Sequence, residues 1–186
     1  MDQEAWFTAL YQAYYDAVLR YAARRIDPET ARDVASETFL VVWRRRKAVP
    51  ADPAVIEPWL YKVASYSLAN RKRSRQRAEQ LTMHLADTFD PAKHSGDHAD
   101  AIAERARLTQ ALERLSPQDQ EILRLIAWEE LDLAYAAAAM GCSRPTAAVR
   151  LHRARRRMTQ ALEAIDNSGA AVNITGASTK VAEEMR

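Results

Sequence analysis

The sequence predicts an all-α protein: two small helical domains joined by a flexible linker, the second containing a helix-turn-helix. Three observations carry this expectation. Glycine occurs only 4 times in 186 residues, while Ala, Leu, Arg and Glu are abundant, which favours helices over strands and turns. Apolar residues recur at spacings of three and four. That periodicity lapses from about Ala78 to Asp100, where Asp90-Pro91, Ser95 and Gly96 interrupt any helix. The expected organisation is a first domain over 1–80, a linker over 81–104, a second domain over 105–165 and a disordered tail over 166–186.

The first helix is expected from about Gln3 to Ile26, with Phe7, Leu10, Tyr14, Val18 and Tyr21 on one stripe. Asp27-Pro28 opens a second, to about Lys47; proline at the first helical position forfeits no helical hydrogen bond. Its last residues, Arg44 to Lys47, complement the negative end of the helix dipole, and Val34, Thr38 and Val42 face the core. A loop with Pro50 and Pro53 follows. Glu57-Pro58 then opens a third helix to Arg77, with Leu60, Val63, Ala64 and Leu68 inward. Aromatic residues concentrate before residue 70, which places a first core there. The second unit begins near Ala101 with Leu108, Ala111, Leu112 and Leu115. It resumes after Ser116-Pro117 with Ile122, Leu123, Leu125 and Ile126, and Asp119 stands where a capping-box acid belongs. Beyond Asp166 the composition is small and polar, which reads as a mobile tail.

Hydrophobic residues make up 48% of the chain, enough for a real core, and the net charge of +2 conceals strong segregation of charge. The single cysteine, Cys142, excludes an internal disulfide and fits a reducing cytosol. Met1-Asp2-Gln3-Glu4 lacks a signal-peptide pattern, and apolar runs such as Phe39 to Trp43 are too short to span a bilayer. A cytoplasmic protein without membrane insertion is expected. No phosphate-cradling glycine loop, nucleophile elbow or zinc-protease spacing occurs, so neither catalysis nor a cofactor is indicated. His94 and His98 flank Asp97 but have no cysteine partner and lie in the linker, so no metal site is assigned.

Two cationic segments point to nucleic acid. Met140-Gly141-Cys142-Ser143 reads as a tight turn before a helix carrying Arg144, Arg150, His152, Arg153, Arg155, Arg156 and Arg157, with no acid until Glu163. Ala147, Leu151, Ala154 and Met158 define its buried face, leaving Ala148, Val149, His152 and Arg153 opposite, with Arg144 and Arg156 flanking. A charge run alone reads as a solvated face. Glycine turn, small residues Ala136 to Ala139 and one-sided basicity together point to a recognition helix in a major groove. The DNA-facing set is Arg144, Thr146, Ala148, Val149, Arg150, His152, Arg153 and Arg156. On the third helix, Lys62, Ser65, Tyr66, Asn70 and Arg73 lie opposite the apolar stripe, and the basic block runs to Arg77. An outward aromatic among cations suits single-stranded nucleic acid, where bases stack and cations track phosphates. Asp33 and Glu37, one turn apart, read on their own as helix solvation.

These segments together resemble an extracytoplasmic-function sigma factor of bacterial RNA polymerase. Asp33 through Trp43 is similar to the family's second conserved region, and Trp59 to Ala64 with Asn70 to Arg73 is similar to its promoter-melting region. Leu112 to Pro117, with Gly141 through Arg155, is similar to its fourth region. The resemblance implies docking of the first domain on the clamp helices of the polymerase's largest subunit through Asp33, Ser36, Glu37 and Phe39. It implies capture of the −10 element and a flipped base through Trp59, Lys62, Ser65, Tyr66, Asn70, Arg71, Lys72, Arg73, Arg75 and Arg77. The second domain would bind the polymerase flap and read the −35 element of promoter DNA, with an anti-sigma factor as the usual regulator. Tyr66 stands where asparagine or arginine is frequent, and Ala148 and Val149 replace a polar pair, which leaves Arg144, His152 and Arg153 as the readers. Two short basic sites on a loose linker are expected to bind DNA weakly until polymerase aligns them. The alternatives are a stand-alone helix-turn-helix transcriptional regulator and a protein that sequesters polymerase without directing transcription.

Overall fold

Side-chain caps and prolines set where most of the helices begin. The computed structural model describes the backbone of residues 2–81 and 99–184 and the side chains of residues 2–74 and 103–167. Helix α1 spans Gln3–Ala23, with Asp2 accepting from the Glu4 amide. Helix α2 spans Pro28–Arg44, capped by Asp27, which accepts from the Thr30 amide at 2.9 Å. It stops three residues short of the expected Lys47, because the chain tightens into a 3-10 turn over Arg46–Ala48 ahead of Pro50. Helix α3 spans Pro53–Leu81 and starts five residues earlier than Glu57-Pro58 suggested. Asp52 accepts from the Ala54 amide at 3.0 Å and Pro53 takes the first helical position, so the true cap lies upstream. Pro58 sits inside the helix, fully buried, where it removes a single hydrogen bond near the start of a long element.

Helix α4 spans Ala99–Glu113, α5 Pro117–Ala127, α6 Leu133–Met140 and α7 Arg144–Glu184. Ser116 caps α5 by accepting from the Asp119 amide at 3.2 Å. Asp119 does not complete a capping box; its buried carboxylate receives Arg157 of α7 instead. An aspartate is one methylene shorter than the glutamate such a box prefers. The expected break at Asp166 is also absent, since α7 continues to Glu184. Past Asp166 there is no proline to remove a backbone donor, and extending a formed helix is far easier than nucleating one. Asp166 itself holds Arg107 of α4 by two hydrogen bonds of 2.7 Å. The expected linker falls largely on residues 82–98, outside the described residues, as do His94, Asp97 and His98.

Helices α1, α2 and α3 pack around Val18, Tyr21, Val34, Phe39, Val42, Leu60 and Ala64. The same core takes in Leu125 of α5 with Ala136 and Ala139 of α6, so the largest core belongs to both domains. The sequence suggested a separate core in each. Periodicity identifies an apolar face but not what covers it: Ala137 packs toward α7 with Ile122, Ala147, Leu151 and Ala154, while Ala136 and Ala139 pack toward the first domain. A third, smaller cluster joins Ala111 of α4, and Leu115 just beyond that helix, to Ala161 of α7.

Candidate nucleic-acid interface

The turn before α7 follows from one glycine. Gly141 adopts φ 64° and ψ 35°, the left-handed conformation that glycine enters without a Cβ penalty. Its amide donates to the Ala138 carbonyl at 3.1 Å and that of Cys142 to the Ala137 carbonyl at 3.0 Å, which closes the end of α6. Ser143 then caps α7, its hydroxyl accepting from the Thr146 amide at 3.3 Å and sharing a 2.8 Å hydrogen bond with the Thr146 hydroxyl. Ala147, Leu151 and Ala154 are buried, and Met158 is partly buried. Arg144, Thr146, Ala148, Val149, His152, Arg153 and Arg156 are exposed, and Arg150 is half-buried. Ala148, Val149, His152, Arg153 and Arg156 thus lie opposite the buried side of the helix, with Arg144 and Arg150 at its borders.

An open groove runs from that face to the start of α5, bounded by Gln118, Thr146, Val149, Arg150, Arg153 and Arg157. Arg157 is tied to Asp119, so it fixes α7 against α5. Gln118 was absent from the sequence-based set. It stands in the first turn of α5, where free amides and the positive end of the dipole favour a phosphate. The signal was its place just behind the Ser116-Pro117 cap.

On α3 the first set divides. Trp59, Lys62, Tyr66, Asn70 and Arg73 follow one another at spacings of three and four, a single stripe. Tyr66, 61% exposed, is the most exposed large apolar side chain among the described residues. Arg73 Nη2 donates to Asn70 Oδ1 at 2.5 Å beside it. Trp59 is partly buried against the core, and the Ser65 hydroxyl donates to the Lys62 carbonyl at 2.7 Å. Lys72 is exposed on another side of the helix. The side chains of Arg75 and Arg77 lie outside those described. Arg71 turns to α2 in this structure, donating to Asp33 Oδ2 at 3.1 Å and Glu37 Oε1 at 2.5 Å. The bond to Glu37 is the foremost reason its pKa is raised.

The expected polymerase-facing set on α2 needs one correction. Asp33, Ser36 and Glu37 are exposed, although the Ser36 hydroxyl donates to the Arg32 carbonyl at 2.9 Å. Phe39 is 2% exposed, packed edge-on against Phe7 and Tyr11, so its ring supports the helix from inside. The exposed apolar residue on the same stripe is Leu40, seven positions after Asp33 and three after Glu37, at 46% exposure. Helical spacing from the acids points to it, whereas Phe39 was named only through the family resemblance. Among the described residues no cluster of three His, Cys, Asp or Glu side chains is placed to hold a metal ion. None of the helices searched among them is long and apolar enough to cross a membrane.

A helix-turn-helix domain and a helical domain with an outward aromatic among cations together give a fold with two separate basic faces of the kind that suits nucleic acid. Residues 10–78 match the Sigma-70 region 2 family and residues 105–158 the Sigma-70, region 4 family. The chain is 30% identical over 152 residues to the RNA polymerase sigma-E factor of Streptomyces avermitilis, covering 81% of this chain and 82% of that one. It is 34% identical over 137 residues to the ECF RNA polymerase sigma factor BldN of Streptomyces coelicolor, covering 73% of this chain but 52% of that protein's length. The fold is similar to that of the sigma factor RpoE solved with the anti-sigma factor NepR from Bartonella quintana. There the TM-score is 0.63 and the identity 21%, over 84% of this chain and 96% of that one. It is also similar to CnrH solved with the cytosolic domain of CnrY, with TM-score 0.60 and 22% identity over 88% and 90%. The chain belongs to the ECF sigma factors of RNA polymerase.

Proposed function

We propose that this sigma factor binds core RNA polymerase, carries it to a promoter and helps open the duplex. The polymerase-facing surface is the α2 stripe of Asp33, Ser36, Glu37 and Leu40. The α3 stripe centred on Tyr66, with Asn70 and Arg73, takes an unpaired base of the −10 element, since stacking on an exposed ring holds a base out of the duplex. The outward face of α7 reads the −35 element through Arg144, His152 and Arg153, with Gln118 and the start of α5 on the phosphates. Arg71 links the two jobs: polymerase cations that engage Asp33 and Glu37 displace it and free it for phosphate. The protein makes no phosphodiester bond itself, acts in the cytoplasm and is a target for an anti-sigma factor.

The observation that carries this reading is the pairing of an exposed Tyr66 among cations on α3 with a one-sided basic α7 behind Gly141. A reconstituted run-off reaction tests it. Core polymerase with this chain should yield a promoter-specific transcript, and core alone should not. Tight duplex binding without polymerase and no transcript with it would instead mark a stand-alone regulator.

A further inference from the structure

The outward face of α7 is not uniformly polar. Val149 is 51% exposed, and among the described residues only Tyr66 is a more exposed large apolar side chain. Val149 belongs to none of the apolar clusters that hold the fold together. Valine is also a poorer helix former than the alanine and arginine on either side of it, so neither packing nor helix stability accounts for its place. Its surroundings are cationic. Arg150 and Arg153 flank it, and with Gln118 and Thr146 they border the open groove that runs to the start of α5. The Thr146 hydroxyl already shares a 2.8 Å hydrogen bond with Ser143, so its methyl is the part left uncommitted. Ala148 is exposed beside them. Thr146, Val149 and Arg153 follow at spacings of three and four, a stripe that offers methyl groups first and a guanidinium last.

In a major groove only one base carries a methyl group. Thymine presents its C5 methyl beside the O4 acceptor, whereas the other three bases are distinguished by donors and acceptors alone. Valine has neither donor nor acceptor, so a polar base edge pressed against it loses water and gains no partner. A thymine methyl forfeits nothing by that contact and is itself removed from water. The branched side chain is held to one main rotamer in a helix, so little freedom is lost when it is covered. The arginines around it make a polyanion, not an apolar protein surface, the fitting occupant of this face. From Val149 to Arg153 the helix advances about 6 Å, roughly two base-pair steps of about 3.4 Å. The thymine should therefore lie within about two pairs of the base that Arg153 reads.

We propose, on the promoter reading above and resting on it, that Val149 is a specificity-determining residue: it selects thymine in the −35 element by the 5-methyl group. The test uses the holoenzyme of core polymerase and the full-length chain. Selection from duplexes randomised over the −35 positions gives the preferred element. Each thymine in it is then replaced by deoxyuridine, which deletes the methyl and keeps every hydrogen-bonding group. One such replacement should weaken binding about fourfold, the worth of one buried methyl. In Val149→Ala the same replacement should have almost no effect, a coupling that general loosening of the helix would not produce. Val149→Thr, close to valine in size and keeping one of its methyls, should show an intermediate loss. Helical content should be unchanged in both variants, since the side chain lies outside the cores. If the parent discriminates among −35 bases yet no deoxyuridine weakens binding, or if Val149→Ala keeps the full loss, the assignment is overturned. A selected element without thymine on either strand overturns it as well. No base preference at all in the parent would strike the promoter reading itself, and the role of Val149 falls with it.

Discussion

Phe39 and Leu40 are consecutive on α2 and divide between packing and presentation. Phe39→Ala removes a ring that is 2% exposed and should cost about 3–5 kcal/mol of stability, read from chemical denaturation. Leu40→Ala should leave the denaturation midpoint nearly unchanged and weaken association with core polymerase, read by titration of a labelled chain. The opposite pattern would return the docking role to Phe39. On α7, Arg153→Ala should reduce discrimination at one −35 base by about 1–3 kcal/mol if the guanidinium spans a guanine edge. Run-off transcription from promoter point variants measures this, and unchanged base preference removes Arg153 from the readers. At this scale the sequence placed Tyr66 outward among cations, and the structure leaves its ring exposed. The sequence was silent on Arg71, whose partners Asp33 and Glu37 are 34 or more positions away and reached only through the fold.

Among the elements, α1 was legible from its apolar stripe, and α2 and α5 because each announces itself with an aspartate or serine cap and proline behind it. The start of α3 was not, since Asp52-Pro53 and Glu57-Pro58 offer two such signals five residues apart and only packing chooses between them. The extent of α7 was missed for another reason: its latter part has weak composition, but Asp166 is fastened to α4. Arg107 also donates to Glu104 at 3.1 Å and so bridges α4 and α7. Its hydrogen bonds hold the Asp166 carboxyl below its ordinary value of 3.8. A depressed carboxyl contributes stability above its unfolded value and loses it as pH falls through the folded one. Carboxyl-carbon NMR should therefore show Asp166 titrating below 3.8, and Arg107→Ala should return it to the ordinary range. An unshifted titration in the unmutated protein would mean that this exposed bridge does not persist in solution.

For the whole molecule the decisive fact is that a residue of the second domain completes the core of the first. Leu125 on α5 is 1% exposed and packs in the same cluster as Tyr21, Leu60 and Ala136. Two domains on a loose tether would unfold in separate steps, each with its own midpoint. A shared core couples them, because opening either domain exposes apolar surface belonging to the other. Leu125→Ala should then cost about 2–5 kcal/mol, and the loss should register in both halves at once. Tryptophan makes this observable: Trp6, Trp43 and Trp59 report on the first domain and Trp128 on the second. Trp128→Phe leaves a chain whose fluorescence follows the first domain alone, while circular dichroism follows all helices. Coincident transitions in the parent chain, both lowered by Leu125→Ala, are the expected result. If Leu125→Ala leaves the first-domain fluorescence midpoint in place while the dichroism midpoint falls, the domains are energetically independent and the common core is only a contact.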